Sequence, residues 1–102
     1  MRESIDDVVT IPQSVVSTRA GEDTVVHDMI TQHLFRLNDV GTRIWELIDD
    51  GNSIETIVQT LSTEYVLPDH VPPSRLREDV MTVVTELRRR GLVVASSREQ
   101  VF

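Results

Sequence analysis

Histidines are the side chains of this sequence that most readily bind a metal ion. Three are present, His27, His33 and His70. A metal site needs ligands that converge on one point. His27 and His33 lie on either side of an expected turn, and His70 lies among prolines. Neither an HExxH motif nor another paired-histidine spacing occurs. The sequence therefore predicts no metal site and no cofactor.

Paired carboxylates are the other candidates for chemistry. Acid–base catalysis needs two carboxyl groups in different environments that face one cleft. The acidic pairs are expected at turns, helix ends and exposed faces, where they serve as solvated surface. They are Asp6-Asp7, Glu22-Asp23, Asp49-Asp50 and Glu78-Asp79. The chain has no cysteine, and its four glycines form no phosphate-binding loop. We therefore expect no catalytic residue and no enzymatic activity.

Length and charge narrow the class of protein further. A chain of 102 residues indicates one domain. Its net charge of -7 argues against nucleic-acid binding, which depends on clustered Lys and Arg. No apolar run is long enough for a membrane span, and the acidic N-terminus does not fit a signal peptide. These features predict a cytoplasmic protein with no membrane partner.

The first third of the chain has the pattern of short strands. Apolar runs on either side of Pro12, a β-branched run over 24–29 and the segment 33–37 are separated by turn residues. Ala20-Gly21-Glu22-Asp23 is one such turn, and residues 28–32 hold the next. We expect a three-stranded antiparallel meander.

Beyond Asn38 the apolar spacing becomes that of amphipathic helices. Three stripes are present: Val40, Ile44, Leu47 and Ile48; then Ile54, Ile57, Val58, Leu61 and Tyr65; then Leu76, Val80, Val83, Val84 and Leu87. Trp45 flanks the first stripe and is expected in the core. The predicted fold is α+β and winged-helix-like, with a three-stranded antiparallel sheet followed by three helices.

Helix boundaries are predicted from capping residues. Asn38 or Asp39, Ser53 and Ser74 are expected to cap the three N-termini. Asp50-Gly51 and Gly91 are expected to end the first and third helices. The apolar residues 92–95 can then pack as a strand or extended segment. The predicted domain covers residues 8–95, between a flexible N-terminus at 1–7 and a flexible tail at 96–102.

Several segments in this order resemble the PqqD-like family. Leu37–Gly51 reads LNDVGTRIWELIDDG and is similar to the family's signature, in which Leu-Asn ends a strand and an aliphatic–aromatic pair lies in the next helix. Ser53–Ile57 resembles the start of the second helix. Leu76–Val94, which contains LRRRGLV at residues 87–93, resembles the family's third helix and the residues that end it. The likeness runs from about Pro12 to Val94.

The chain departs from the family pattern at two places. Members often have a glycine in the hairpin before the third strand, where this chain has Thr31-Gln32. They often have a tyrosine in that strand, where this chain has Leu34-Phe35. These departures concern the geometry of one hairpin.

The resemblance implies a recognition element for ribosomally made, modified peptides. It implies that a precursor leader peptide adds as a strand to the sheet edge and contacts the third helix. The bound leader is then presented to a maturation protease or modifying enzyme. The implied strand residues are His33, Leu34, Phe35 and Arg36. The implied helix residues are Leu76, Asp79, Val80, Val83, Val84 and Leu87. A discrete chain of this length most resembles the lasso-peptide branch, and also resembles the quinone-cofactor branch that serves a radical enzyme.

Two other functions fit parts of the sequence. A winged-helix DNA-binding protein would use the same kinds of element, although the acidic charge and the element order oppose it. An acidic adaptor that joins two folded proteins would need no peptide site. The oligomeric state is left open between a monomer and a weak homodimer.

Overall fold

The computed structural model describes residues 8–64 and 73–96. Within these ranges the chain forms five strands and three helices. In chain order they are β1 (Val8–Thr10), β2 (Val15–Ala20), β3 (Asp23–Asp28), β4 (His33–Leu37), α1 (Asp39–Asp49), α2 (Ile54–Glu64), α3 (Pro73–Arg89) and β5 (Val94–Ser96). The predicted fold class, a three-stranded antiparallel sheet followed by three helices, is confirmed.

The strands form two separate sheets. β2, β3 and β4 make an antiparallel meander in which Val26 pairs with Phe35 and Ser17. β1 instead pairs with β5, with Val9 opposite Ala95. The three-stranded meander thus begins at Val15, and the apolar run before Pro12 lies outside it. Pro12 accepts a hydrogen bond from the Val15 amide, 3.0 Å, and this turn redirects the chain before β2 starts.

The two hairpins of the meander use different turn chemistry. Gly21 has a φ of 68° in the two-residue turn between β2 and β3. Gln32, just before β4, has a φ of 66°, a left-handed conformation that favours glycine. Asp28 supports this second turn, because its Oδ1 accepts hydrogen bonds from the amides of Ile30 and Thr31 at 3.0 and 3.3 Å.

Side chains cap the first two helices as predicted. Asn38 Oδ1 accepts from the Gly41 amide at 2.8 Å, and Ser53 Oγ accepts from the Thr56 amide at 3.1 Å. The expectation that Ser74 caps α3 was wrong. The helix already begins at Pro73, a residue whose fixed φ suits the first helical position. The predicted helix residue Tyr65 and the histidine His70 lie outside the described residues.

Helix α1 packs on one face of the meander, α2 packs against α1 and α3, and together these elements bury a single core. Trp45 is 4% exposed within it, as expected. The core residues are Val9, Val15, Val26, Ile44, Trp45, Leu47, Ile48, Ile54, Ile57, Val58, Leu61, Val80, Val84, Leu87, Leu92 and Val93. The opposite face of the sheet carries exposed apolar side chains, including Leu34 and Val16. None of the described helices has the length and apolar character to span a membrane.

Candidate peptide-binding site

The outer edge of β4 is the central feature of the candidate site. In the strand order β2-β3-β4, β3 occupies one side of β4 and no strand within residues 8–64 and 73–96 occupies the other. The C-terminal strand β5 pairs with β1 and so does not cover this edge. Alternate residues of an edge strand direct free N–H and C=O groups outward. These groups can pair with another extended chain.

Side chains of β4 alternate between two environments. Phe35 and Leu37 are partly buried and pack against the core. Leu34 and Arg36 point to the other face, where Leu34 is 65% exposed. Arg36 Nε donates to Asp23 Oδ2 at 2.8 Å, which ties β4 to the start of β3. The face of β4 that looks toward the helices is therefore apolar, while its other face is open to solvent.

A groove of about 360 Å³ lies between β4 and α3. Its apolar side chains come from β4, from α3 and from the segment after α3. The lining residues are Phe35, Arg36, Leu37, Thr82, Val83, Glu86, Leu87, Arg90 and Leu92. A strand added to β4 would place every second side chain on the side where this groove lies. The edge and the groove thus form one site with a backbone part and a side-chain part.

The rim of the groove is charged. The Arg90 guanidinium lies over the Phe35 ring, with its Cζ atom 4.9 Å from the ring centroid. Arg90 Nε also donates to Glu86 Oε2 at 2.7 Å. Hydrogen bonds from Arg89 and Arg90 lower the pKa of the Glu86 carboxyl, so Glu86 remains ionised near neutral pH. The groove therefore has an apolar floor and a fixed ion pair at its mouth.

A second cavity, of about 310 Å³, is lined by polar and charged residues and lies between the β2–β3 hairpin and α1. Its sides are held by ion pairs, with Arg19 2.6 Å from Glu46 and Arg43 3.2 Å from Glu46. Arg43 also binds Glu64 of α2 at 2.6 Å and lowers the pKa of that carboxyl. This cavity has no apolar floor, so it suits peptide anchoring less well than the groove beside β4.

Four of the ten sequence-predicted peptide-binding residues line the groove. Phe35 and Arg36 come from β4, and Val83 and Leu87 come from α3. His33 meets Phe35 edge to face, with ring centroids 6.2 Å apart, and so borders the same region. Leu34 belongs to the same strand but points to the opposite face of the sheet.

The other predicted α3 residues lie away from the groove. Val80 and Val84 are both 0% exposed and belong to the core. Leu76 is partly buried, and Asp79 is exposed and pairs with Arg75 at 3.3 Å. Because Leu76 and Asp79 precede the groove by one to two helical turns, their contact with a bound peptide stays a prediction.

Sequence reasoning missed five lining residues, which are Leu37, Thr82, Glu86, Arg90 and Leu92. A signal for two of them was present, because Glu86 and Arg90 have the i, i+4 spacing of a helical ion pair. No role in peptide binding was predicted for Arg90. Its stacking on Phe35 depends on how α3 lies against β4, which the local sequence does not specify.

The possible metal ligands in the described part of the chain are His, Asp and Glu side chains. No group of three or more His, Asp or Glu side chains there is arranged to hold a metal ion. His27 Nε2 instead lies 3.3 Å from Gln32 Oε1 in the β3–β4 hairpin. The histidine therefore takes part in the turn that leads into β4.

Comparison with known proteins assigns the family. The family model of Coenzyme PQQ synthesis protein D (PqqD) matches residues 23–93, which include β3, β4, all three helices and the groove. The chain belongs to this family. No functionally curated protein shows a significant match to the chain.

Two solved structures share the fold. One is TbiB1 in complex with the TbiA(beta) leader peptide, with 27% sequence identity, a TM-score of 0.74, and coverage of 91% of this chain and 98% of TbiB1. Another is lasso peptide synthetase B1 complexed with the leader peptide, with 22% identity, a TM-score of 0.74, and coverage of 84% and 96%. Because its sequence identity is lower, the second structure supports the assignment of the fold but not of a function.

Proposed function

We propose that this chain binds the leader segment of a ribosomally synthesised precursor peptide and presents it to maturation enzymes. The leader adds as a strand to the outer edge of β4 and places alternate side chains in the groove beside α3. The observation that carries this proposal is the open edge of β4 next to an apolar groove of about 360 Å³. Strand addition obtains affinity from main-chain hydrogen bonds and sequence preference from side-chain pockets.

The groove supplies enough apolar contact for useful affinity. Phe35, Leu37 and Val83 are only partly buried in the free protein. Each apolar leader side chain that is buried there gains about 1.5–3 kcal/mol. Two or three such anchors together with the strand ladder give roughly micromolar to sub-micromolar binding after ordering costs. Such affinity suits a module that must hold a precursor and later release it.

The comparison with TbiB1 supports the same class of ligand. That protein shares 27% identity with this chain over nearly its whole length and was solved with a leader peptide. We place the chain in the lasso-peptide branch, where a leader protease and a cyclase act on the bound precursor. The branch that serves a radical enzyme is the alternative within the family.

Further parts of the proposal concern how the module works. It acts without catalysis and without a cofactor, so that the chemistry belongs to the protease or modifying enzyme. It functions in the cytoplasm, where ribosomal precursors are made, as a monomer or weak homodimer. The proposed domain covers residues 8–95.

A binding titration tests the proposal directly. The precursor encoded beside the gene of this chain should bind saturably, and the same precursor without its leader should not. Leu34→Pro should abolish binding, because proline removes an N–H group and disturbs the strand edge. Leu34→Ala is the matched control, since it keeps the backbone and removes only a side chain on the far face of the sheet. Unchanged binding by a folded Leu34→Pro variant would rule out edge addition.

The leader itself offers a version of this test that leaves the protein unaltered. N-methylation of successive leader amides should weaken binding at every second position, because only alternate amides of an added strand face β4. Uniformly tolerated methylation would contradict a strand ladder.

The two other functions predict different outcomes. Tight binding of duplex DNA with a steep salt dependence would favour a winged-helix DNA-binding protein. Binding to a folded enzyme, but to no extended peptide, would favour an adaptor.

A further inference from the structure

Arg90 has an unusual combination of contacts at the mouth of the groove. Its guanidinium plane is held by the Phe35 ring at 4.9 Å and by Glu86 at 2.7 Å through Nε. Among the residues that the structure describes, no side chain or backbone oxygen accepts a hydrogen bond from its two terminal amino groups. A guanidinium presents these groups as a planar fork that matches a carboxylate. Within the described residues, Arg90 is therefore oriented in advance and keeps two amino groups that can donate to a ligand.

The charge balance around Arg90 is positive. Glu86 is shared between two arginines, at 2.7 Å from Arg90 and 3.1 Å from Arg89. These three side chains together carry a net charge of +1, although the chain as a whole carries -7. Arg36 also borders the groove, but its side chain points to the opposite face of the sheet and is paired with Asp23 at 2.8 Å. The excess positive charge of the groove mouth thus resides on the Glu86, Arg89 and Arg90 cluster.

We propose that Arg90 is a specificity-determining residue that selects peptides carrying a carboxylate next to their apolar anchor. This inference rests on the proposed function and names the ligand more closely: an extended peptide with an acidic and an apolar side chain on its groove-facing side. Same-side residues of a strand are two positions apart, which is roughly 6.5 Å. Arg90 lies over Phe35. We therefore expect the peptide's acidic residue two positions along the peptide from the apolar residue that contacts Phe35 and Val83.

A double-mutant cycle tests this pairing. The protein variants are wild type and Arg90→Gln, and the probe is the synthetic leader of the neighbouring precursor, with each acidic residue replaced in turn by Gln. Arg90→Gln should weaken binding of the unaltered leader about 5- to 20-fold, as expected for a charge-assisted hydrogen bond at a half-exposed site. One of these replacements in the leader should weaken its binding to wild-type protein by a similar factor. The same replacement should have little effect on binding to the Arg90→Gln protein.

Two further variants separate charge selection from a merely structural effect. Arg89→Gln is the control, because Arg89 also pairs with Glu86 but does not line the groove, and it should change affinity less than about twofold. Arg90→Glu should lose affinity for the natural leader and recover it when the coupled acid is replaced by Lys. Thermal unfolding of each variant checks that the fold is kept.

The outcomes distinguish this inference from the function on which it rests. Absence of leader binding by wild type would overturn both. Normal leader binding that is insensitive to Arg90→Gln, or strictly additive effects of Arg90→Gln and every acidic replacement, would overturn only the assignment of Arg90.

Discussion

Val83 illustrates at the level of one residue how the groove differs from the core. It is partly buried and faces Phe35 across the groove, whereas its neighbour Val84 is 0% exposed. An apolar residue in this intermediate position can keep the fold intact while it remains available to a ligand. The same helix therefore contributes to stability and, in the proposed mode of binding, to recognition.

Val83→Asp should weaken leader binding by at least tenfold, because the new carboxylate would have to be desolvated against the apolar anchor of the peptide. The fold should survive, since the new side chain can still reach water. Fluorescence anisotropy with a labelled leader measures the loss, and circular dichroism checks the fold. Thr85→Asp, at an exposed position on α3, is the control. Equal losses from both variants would point to a general charge effect and against a specific groove.

The sequence could identify the apolar stripe of α3 but could not divide it between core and site. Val80, Val83, Val84 and Leu87 share one helical face, and their periodicity is the same whether a residue is covered by another helix or left at a groove. The division depends on how α2 and β4 lie against α3, and this packing leaves Val83 only partly buried. For the same reason Arg90 could not be assigned to the rim before its position over Phe35 was known.

At the level of elements, the end of α3 positions the groove. The Gly91 amide donates to the Arg88 carbonyl at 3.0 Å, and the Leu92 amide donates to the Leu87 carbonyl at 2.9 Å. This pattern is a Schellman motif, which requires a left-handed residue after the helix, and Gly91 has a φ of 75°. The turn directs Leu92 back into the core and so closes the floor of the groove.

Gly91→Ala should lower the free energy of unfolding by about 1–2 kcal/mol, the cost of placing a Cβ in the left-handed region. Space is not limiting, because a Cβ at this position would meet no atom within 4 Å. Gly91→Asn should lower the free energy of unfolding by less than Gly91→Ala, since asparagine tolerates this conformation better than alanine. Urea unfolding monitored by circular dichroism measures both. A larger loss for asparagine than for alanine would contradict a purely conformational cause.

Elements defined by local signals could be predicted, and those defined by long-range pairing could not. The β4 strand and α1 were found from their apolar periods and from the cap Asn38. The pairing of β1 with β5 was not predicted, because the two strands lie more than 80 residues apart in the chain. Ser74 was misassigned as a cap because Pro73 can itself begin a helix. Gln32 shows that a turn can retain a left-handed residue without the expected glycine.

On the scale of the described molecule, the first and last strands pair with each other and leave the outer edge of β4 available. The pairing of β1 with β5 satisfies the final strand at a distance from β4. Helix α1 covers one face of the meander, and α3 borders the outer edge of β4 across the groove. An incoming leader would complete a four-stranded sheet and fill the groove at the same time. Strand addition therefore requires no rearrangement of the described fold.

Isotope-edited NMR of the complex tests this central claim most directly. With the leader labelled and the protein unlabelled, cross-strand nuclear Overhauser effects between leader backbone protons and those of residues 33–37 should appear. They should alternate along the leader, and side-chain contacts to Phe35 and Val83 should appear at every second leader residue. A bound leader whose contacts lie on β2 or on the helices, with none to the backbone of β4, would contradict the account.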